Sequence, residues 1–255
     1  MPLVNTKRRR FFLILPLCFT SHVVSSTSTT THSHMQILTA GQSIGGVEFP
    51  SGTEVEILDG SNRPSGYVIL HSDFLFNKII LKNGTRLWIS GPKIHLLSFT
   101  SMPHQKIYGI PLPSGSKVNL YDNGNIREIY ANRPIAIRGI TYAKWRWIRF
   151  YKNGHIQDGK LAKNTIFSEL HARPGPVEFY ENGKLKEADI ISGSFYRGLK
   201  LASDTNATNG PDVTLWNNGN LKSGILYTTT TLDGKKCAPG NVAFSKTGTL
   251  ESCNE

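Results

Sequence analysis

One short phrase recurs five times in this chain, and it centres on an Asn-Gly or Thr-Gly pair. The copies are LYDNGNIR (120–127), FYKNGHIQ (150–157), FYENGKLK (179–186), LWNNGNLK (215–222) and FSKTGTLE (244–251). The turn glycines are 30, 29, 36 and 29 residues apart. A period of this size is typical of stacked supersecondary units that cannot bury an apolar side alone. With charged residues at only 18%, the composition favours many short strands and turns.

The residues that flank each glycine define the turn. Four positions before it stands Leu or Phe, and two positions after it stands Ile or Leu, in all five copies. A two-residue hairpin would place these side chains on different faces. A three-residue loop with the glycine in the left-handed conformation, followed by a bulge, pairs them across the ladder on one face. The sequence therefore predicts five β-hairpins with three-residue loops.

The amino-terminal half carries weaker copies of the same pattern. IYGIPLPSGSKVNL (107–120) resembles SIGGVEFPSGTEVEIL (43–58), so residues 41–106 are predicted to form a degenerate β-repeat region, with Gly60 marking its first unit. Gly84 breaks the pattern because Arg86 follows it by two positions. A two-residue turn that pairs Ile80 with Leu87 is predicted there instead.

The phrase F-Y-x-N-G-x-L resembles the bacterial variant of the MORN repeat over residues 107–255, the predicted repeat domain. The resemblance implies an all-β fold, an antiparallel meander of repeated β-hairpins in a single or gently curved layer. The chain departs from the eukaryotic MORN consensus in lacking its more regular glycines. Membrane-lipid contact and protein scaffolding are both associated with the wider family.

The amino terminus predicts export. Lys7 and three arginines precede the apolar run FFLILPLCF (11–19), and small residues suited to signal-peptidase cleavage end the segment near Ser26. Residues 1–26 are therefore predicted to be a signal peptide, and the mature chain is expected to have no transmembrane segment and to be periplasmic or secreted. Residues 27–40 have low complexity and are predicted to be a disordered leader.

Charge and cysteine content agree with export. Removal of residues 1–26 lowers the formal net charge from +11 to +7, a mild excess that favours anionic surfaces but not nucleic acid. Cys237 and Cys253 bracket the last repeat and are predicted to form a disulfide in an oxidising compartment. Two unpaired buried thiols are the alternative.

Motifs for catalysis or metal binding are absent from the sequence. No nucleophile elbow, phosphate loop or zinc-protease motif occurs, and the histidines are scattered apart from His32 and His34 in the leader. We therefore expect no cofactor, no metal site, no catalytic residues and no enzymatic activity.

An aromatic row is the one candidate for binding. The residues three positions before the turn glycines alternate with the apolar ones and should share the opposite face of the sheet, together with part of YAKWRWIRFY (142–151). The candidate binding residues are Tyr121, Trp145, Trp147, Arg149, Tyr151, Tyr180 and Trp216. Such a row could bind a glycan, an extended peptide or anionic lipid headgroups, or it could pack against the protein itself.

The sequence thus predicts an exported, non-enzymatic repeat protein that acts as a binding or scaffolding module at the cell envelope. Its expected partner is an envelope protein, a glycan or an anionic lipid. Two alternatives remain: a cell-wall or glycan hydrolase with a site between repeats, and a secreted effector or antitoxin-like partner protein.

Overall fold

The fold is all-β, as the sequence predicts. The computed structural model describes residues 33–40, 42–44, 47–58, 65–76, 78–90, 95–204 and 210–255, and within these ranges it contains strands and turns but no helix. The predicted signal peptide and Gly60 lie outside the described residues. The described residues of the degenerate region fold as β-units like those that follow them.

The described residues form 28 strands. In chain order they are β1 Ser33–Ile37, β2 Ser43–Ile44, β3 Val47–Glu48, β4 Glu54–Leu58, β5 Ser65–Ile69, β6 Phe74–Phe76, β7 Ile79–Leu81, β8 Arg86–Ser90, β9 His95–Thr100, β10 Lys106–Ile107, β11 Ile110–Pro111, β12 Lys117–Leu120, β13 Ile126–Tyr130, β14 Ile135–Ile137, β15 Ile140–Tyr142, β16 Trp147–Phe150, β17 Ile156–Lys160, β18 Thr165–Phe167, β19 Leu170–Phe179, β20 Leu185–Ile190, β21 Ser194–Tyr196, β22 Leu199–Leu201, β23 Val213–Leu215, β24 Leu221–Leu226, β25 Thr230–Leu232, β26 Lys235–Cys237, β27 Gly240–Phe244 and β28 Leu250–Cys253.

The longer strands make one antiparallel meander. Each pairs with the next along the chain in the order β1, β4, β5, β8, β9, β12, β13, β16, β17, β19, β20, β23, β24, β27, β28. A short hairpin interrupts the chain before each long one: β2–β3, β6–β7, β10–β11, β14–β15, β18 with the start of β19, β21–β22 and β25–β26. One repeat is therefore a short hairpin followed by a long one.

The five long hairpins that carry the repeated phrase turn as predicted. The two apolar positions face each other in every unit: Leu120 with Ile126, Phe150 with Ile156, Phe179 with Leu185, Leu215 with Leu221, and Phe244 with Leu250. In the first unit the Tyr121 amide donates to Asn125 O at 2.7 Å, and the Gly124 amide donates to Tyr121 O at 2.8 Å. The loop thus has three residues, and its glycine has φ +83°. A bulge follows each loop and shifts the register by one residue.

The predicted turn at Gly84 is wrong. Ile80 pairs with Leu75 inside a short hairpin, and Leu87 pairs with Val68 and Phe99 in the long sheet. Gly84 instead lies in the turn that joins the short hairpin to β8, where its amide donates to Leu70 O at 2.7 Å. The prediction failed because Ile80 and Leu87, the apolar residues on either side of the glycine, belong to two different hairpins.

The leader prediction is also wrong in part. Residues 33–37 form β1, which pairs along its whole length with β4. Leu38, only 1% exposed, anchors the strand to the core. Residues 27–32 lie outside the described residues.

A single core joins the long sheet to the short hairpins. Alternate long-strand residues such as Val118, Ile129 and Ile148 belong to the same buried cluster as Ile107 and Tyr142 from the short hairpins. The long sheet therefore buries one face under the short hairpins, and its other face carries polar and aromatic side chains.

The predicted disulfide is present. Cys237 on β26 is bonded to Cys253 on β28, with 5.6 Å between their Cα atoms. The bond ties the last short hairpin to the last long strand.

Candidate binding surface

The aromatic residues before the turn glycines connect neighbouring units. Each half-buried side chain donates a hydrogen bond to a backbone carbonyl at the start of the next turn. The bonds are Tyr121 Oη to Phe150 O at 2.6 Å, Tyr151 Oη to Phe179 O at 3.0 Å, Tyr180 Oη to Leu215 O at 2.7 Å, and Trp216 Nε1 to Phe244 O at 2.9 Å. These four candidate residues therefore staple consecutive units together through their polar ends.

The asparagine of the phrase makes a second column of bonds between units. Asn153 Nδ2 donates to Glu181 O, Asn182 Nδ2 to Asn217 O, and Asn218 Nδ2 to Lys246 O, all at 2.8 to 3.0 Å. In the last unit Ser245 and Thr247 occupy the two donor positions, and their hydroxyls lie 2.8 Å apart in the same turn. Their hydroxyl groups therefore bond to each other and not to another of the described units, as expected of a repeat at the end of a stack.

Trp145 occupies a position that favours glycine. In three related turns the equivalent residue is Gly52, Gly84 or Gly115, with φ between +81° and +84°. Trp145 has φ +59°, and its amide donates to Ala131 O at 2.8 Å as the glycines donate to their counterparts. A bulky side chain in the left-handed region costs about 1–2 kcal/mol. Its indole is nevertheless 53% exposed, so burial does not offset this strain.

Tyr130 brings the two candidate tryptophans together. Its ring centroid lies 6.2 Å from that of Trp145 and 5.1 Å from that of Trp147. Tyr130 and Trp147 are direct cross-strand partners on β13 and β16, and Trp147 is 39% exposed. These three rings form an aromatic cluster on the uncovered face of the sheet, which we term the Trp147 cluster.

A groove of about 470 Å³ opens beside Trp147. Basic side chains of Arg146, Arg149 and Lys160 line it together with the carboxylates of Glu128 and Asp158. Arg149 Nε lies 2.8 Å from Asp158 Oδ2, and the Asp158 side chain is only 15% exposed. Burial raises the pKa of Asp158 although the Arg149 hydrogen bond opposes the change, and the same bond raises the pKa of Arg149.

Positive charge is concentrated in the segment of the chain that contains Trp145, Trp147 and Arg149. Residues 130–163 contain eight Lys and Arg side chains and one acid, Asp158, so this segment contributes a net +7. The remaining residues after position 26 contribute no net charge, because +11 less the four basic residues of the amino terminus is also +7.

The structure separates the candidate residues into two groups. Trp147 and Arg149 line the groove, and Trp145 is linked to Trp147 through the Tyr130 ring. The four residues before the turn glycines instead make the bonds between units. Sequence reasoning missed Tyr130 because the bulge at Arg127 breaks the two-residue alternation along β13. It also missed Arg146, which a count of charge in the segment around Trp145 would have found.

Neither a metal-binding cluster nor a membrane-spanning helix is found in the described part of the chain. Within it, no three His, Cys, Asp or Glu side chains gather closely enough to hold a metal ion. The same residues include no helix with the length and apolar character needed to cross a bilayer. His71 contacts Glu54 at 3.0 Å on the surface.

No protein-family model matches this chain, and no curated protein or solved structure is significantly similar to it.

Proposed function

We propose that this protein is an exported, non-enzymatic binding module of the cell envelope, built of MORN-like repeats, and that it binds anionic ligands at the Trp147 cluster. The proposed ligand is an envelope glycan, an anionic lipid or an acidic surface of an envelope protein. Periplasmic or extracellular location rests on the amino-terminal sequence.

The observation that carries this proposal is Trp145. This tryptophan is held in a left-handed turn where related turns use glycine, and about half of the residue stays exposed beside Tyr130. Strained residues of this kind are concentrated at functional positions. Its neighbours are two further aromatic rings and the most basic segment of the chain, which together suit an anionic ligand with apolar surfaces.

The groove supports binding more than hydrolysis. Asp158 and Glu128, the carboxylates beside Trp147, are engaged by arginines: Arg149 contacts Asp158, and Arg127 Nη2 lies 3.0 Å from Glu128 Oε1. A hydrolytic pair would need one carboxyl group free to donate a proton and the other free to act as base or nucleophile. An effector or antitoxin-like role has no feature of this surface in its favour.

Retention on immobilised ligands tests the proposal. We expect the wild-type protein to be retained at low salt on an acidic polysaccharide matrix or on phosphatidylglycerol vesicles, and less on neutral counterparts. Trp147→Ala should abolish retention and change the free energy of unfolding by less than about 1 kcal/mol, because its ring lies on the uncovered face.

Phe195→Ala is the matched control, since Phe195 is 53% exposed on a short hairpin outside the groove. It should be retained like the wild type. A large loss of stability in Trp147→Ala would support a packing role, and equal retention of wild type and Trp147→Ala would exclude this surface as the binding site.

A further inference from the structure

A second aromatic and basic cluster lies on the same face of the long sheet. The Tyr67 and Trp88 rings meet edge to face with centroids 4.8 Å apart, and the Arg86 guanidinium lies 3.7 Å from the centroid of the Tyr67 ring. Tyr67 is 37% exposed, and Arg86 is also exposed. We term these three residues the Tyr67 cluster. No sequence feature singled it out, because its members come from two strands.

The register of the sheet connects Arg86 of the Tyr67 cluster in one line with Tyr130 and Trp147, and Tyr67 and Trp88 lie in the row beside it. Arg86 pairs with Thr100, Thr100 with Lys117, Lys117 with Tyr130, and Tyr130 with Trp147. Directly opposed residues of antiparallel strands point to the same face. The row therefore runs across β8, β9, β12, β13 and β16 with cationic, hydroxyl and aromatic side chains and without an acid.

The length of this row limits the ligand. Neighbouring strands lie about 4.8 Å apart, so the four steps from Arg86 to Trp147 span about 19 Å. A single headgroup or monosaccharide cannot reach both clusters. An extended ligand that lies across the strands can contact both and pass over Lys117 between them.

The charges of the adjacent row distinguish a linear anionic ligand from a flat anionic surface. It runs beside the first, from Trp88 through Ser98 and Asn119 to Glu128, Arg149 and Asp158, and then to Glu178. A planar anionic membrane that covers the face would bring headgroups against these three carboxylates. A polymer that follows the first row can place its charges against Arg86 and Lys117 and, beside Trp147, against Arg146 of the groove. Its hydroxyl groups can donate to the neighbouring carboxylates.

We propose that the two clusters form one elongated site for a linear acidic polysaccharide. This inference rests on the proposed function and adds the ligand class, its direction across the strands and the second contact point. Linked contacts raise affinity because the second binding event is intramolecular. Affinity should therefore depend on ligand length.

Oligogalacturonates of two lengths test the inference by calorimetry with the intact protein. The octamer can reach both clusters and the dimer cannot. We expect the wild type to bind the octamer at least tenfold more tightly than the dimer. Arg86→Gln should lower octamer affinity about tenfold and leave dimer affinity unchanged, whereas Trp147→Ala should lower both.

Two further variants keep the test decisive. Tyr67→Ala removes the ring under Arg86 and should reproduce the effect of Arg86→Gln, with folding checked by thermal unfolding. Lys246→Gln makes the same change in charge in the last long hairpin and should leave both affinities unchanged.

Several results would overturn the inference. If Trp147→Ala abolishes octamer binding while Arg86→Gln and Tyr67→Ala do not affect it, the proposed function stands but the elongated site is wrong. Equal binding of maltooctaose would exclude recognition of acid groups. Stronger binding to oligothymidylate or phosphatidylglycerol vesicles than to the octamer would assign the row to a nucleic acid or a membrane. No retention on any anionic matrix would refute the proposed function itself.

Discussion

At the scale of single residues, the predicted binding residues of this repeat protein differ in whether they connect neighbouring units. Tyr151 and Tyr180 are among the predicted binding residues, yet their hydroxyl groups donate hydrogen bonds to carbonyl groups of the next unit. The Trp145 ring makes no such hydrogen bond to the described residues and lies 6.2 Å from the Tyr130 ring, and its backbone conformation is unfavourable for any residue with a Cβ atom.

Trp145→Gly should separate stability from binding. We expect the free energy of unfolding to rise by about 1 kcal/mol, because glycine adopts the left-handed conformation without strain. Retention on acidic polysaccharide should fall at the same time. Urea denaturation and the retention assay measure the two effects.

Gly115→Ala is the matched control for this variant, because it introduces a Cβ atom at the equivalent turn, where φ is +82°. It should lower stability by about 1 kcal/mol and leave retention unchanged. A Trp145→Gly variant that is less stable than the wild type would show that the indole packs as part of the fold.

At the scale of elements, the units are joined by side-chain donors as well as by strand pairing. The first four hairpins that carry the repeated phrase donate from their aromatic and asparagine positions to the turn of the following hairpin, so the bonds have one direction along the chain. Short hairpins add to this, since Tyr108 Oη donates to Gly124 O at 2.8 Å and Arg138 Nη2 to Gly154 O at 3.3 Å.

Tyr180→Phe should weaken one of these connections. It removes the donor to Leu215 O and keeps the ring, so the free energy of unfolding should fall by about 1 kcal/mol. Thermal or urea unfolding measures this loss. Tyr227→Phe is the control, because Tyr227 is 45% exposed and its hydroxyl makes no hydrogen bond to the described residues. Equal stability of the two variants would contradict a structural role for the ladder of aromatic donors.

At the scale of the whole molecule, the last strand of the meander has a neighbour on one side only among the described strands. β28 pairs with β27 alone among the described strands, and the Cys237–Cys253 bond attaches it to the last short hairpin. A bond that closes a loop of 16 residues is expected to stabilise the fold by about 3 kcal/mol in the chain-entropy description.

Replacement of both cysteines by serine should lower the free energy of unfolding by about 3 kcal/mol. Dithiothreitol should reduce the stability of the wild type by a similar amount and leave the double variant unchanged. Urea denaturation with and without the reductant measures both effects. An unchanged midpoint in the wild type under reducing conditions would contradict a stabilising role for the bond.

The sequence by itself determined the local structure. The five turn phrases predicted the loop length, the left-handed glycine and the paired apolar residues, because a three-residue loop has only one register that buries both. Cysteine spacing around the last unit predicted the disulfide. These features depend on residues close together in the chain, so local geometry suffices to derive them.

Only the tertiary structure decided which side chains meet across units. The turn at Gly84 was misassigned because its apolar neighbours belong to two hairpins, and β1 is ordered through its pairing with β4. Stacking of the units lets the Tyr180 hydroxyl donate to Leu215 O of the next unit and leaves Trp145 exposed, although both are aromatic residues of the same predicted row. The line from Arg86 to Trp147 is a product of register between strands distant in sequence, and alternation within one strand cannot reveal it.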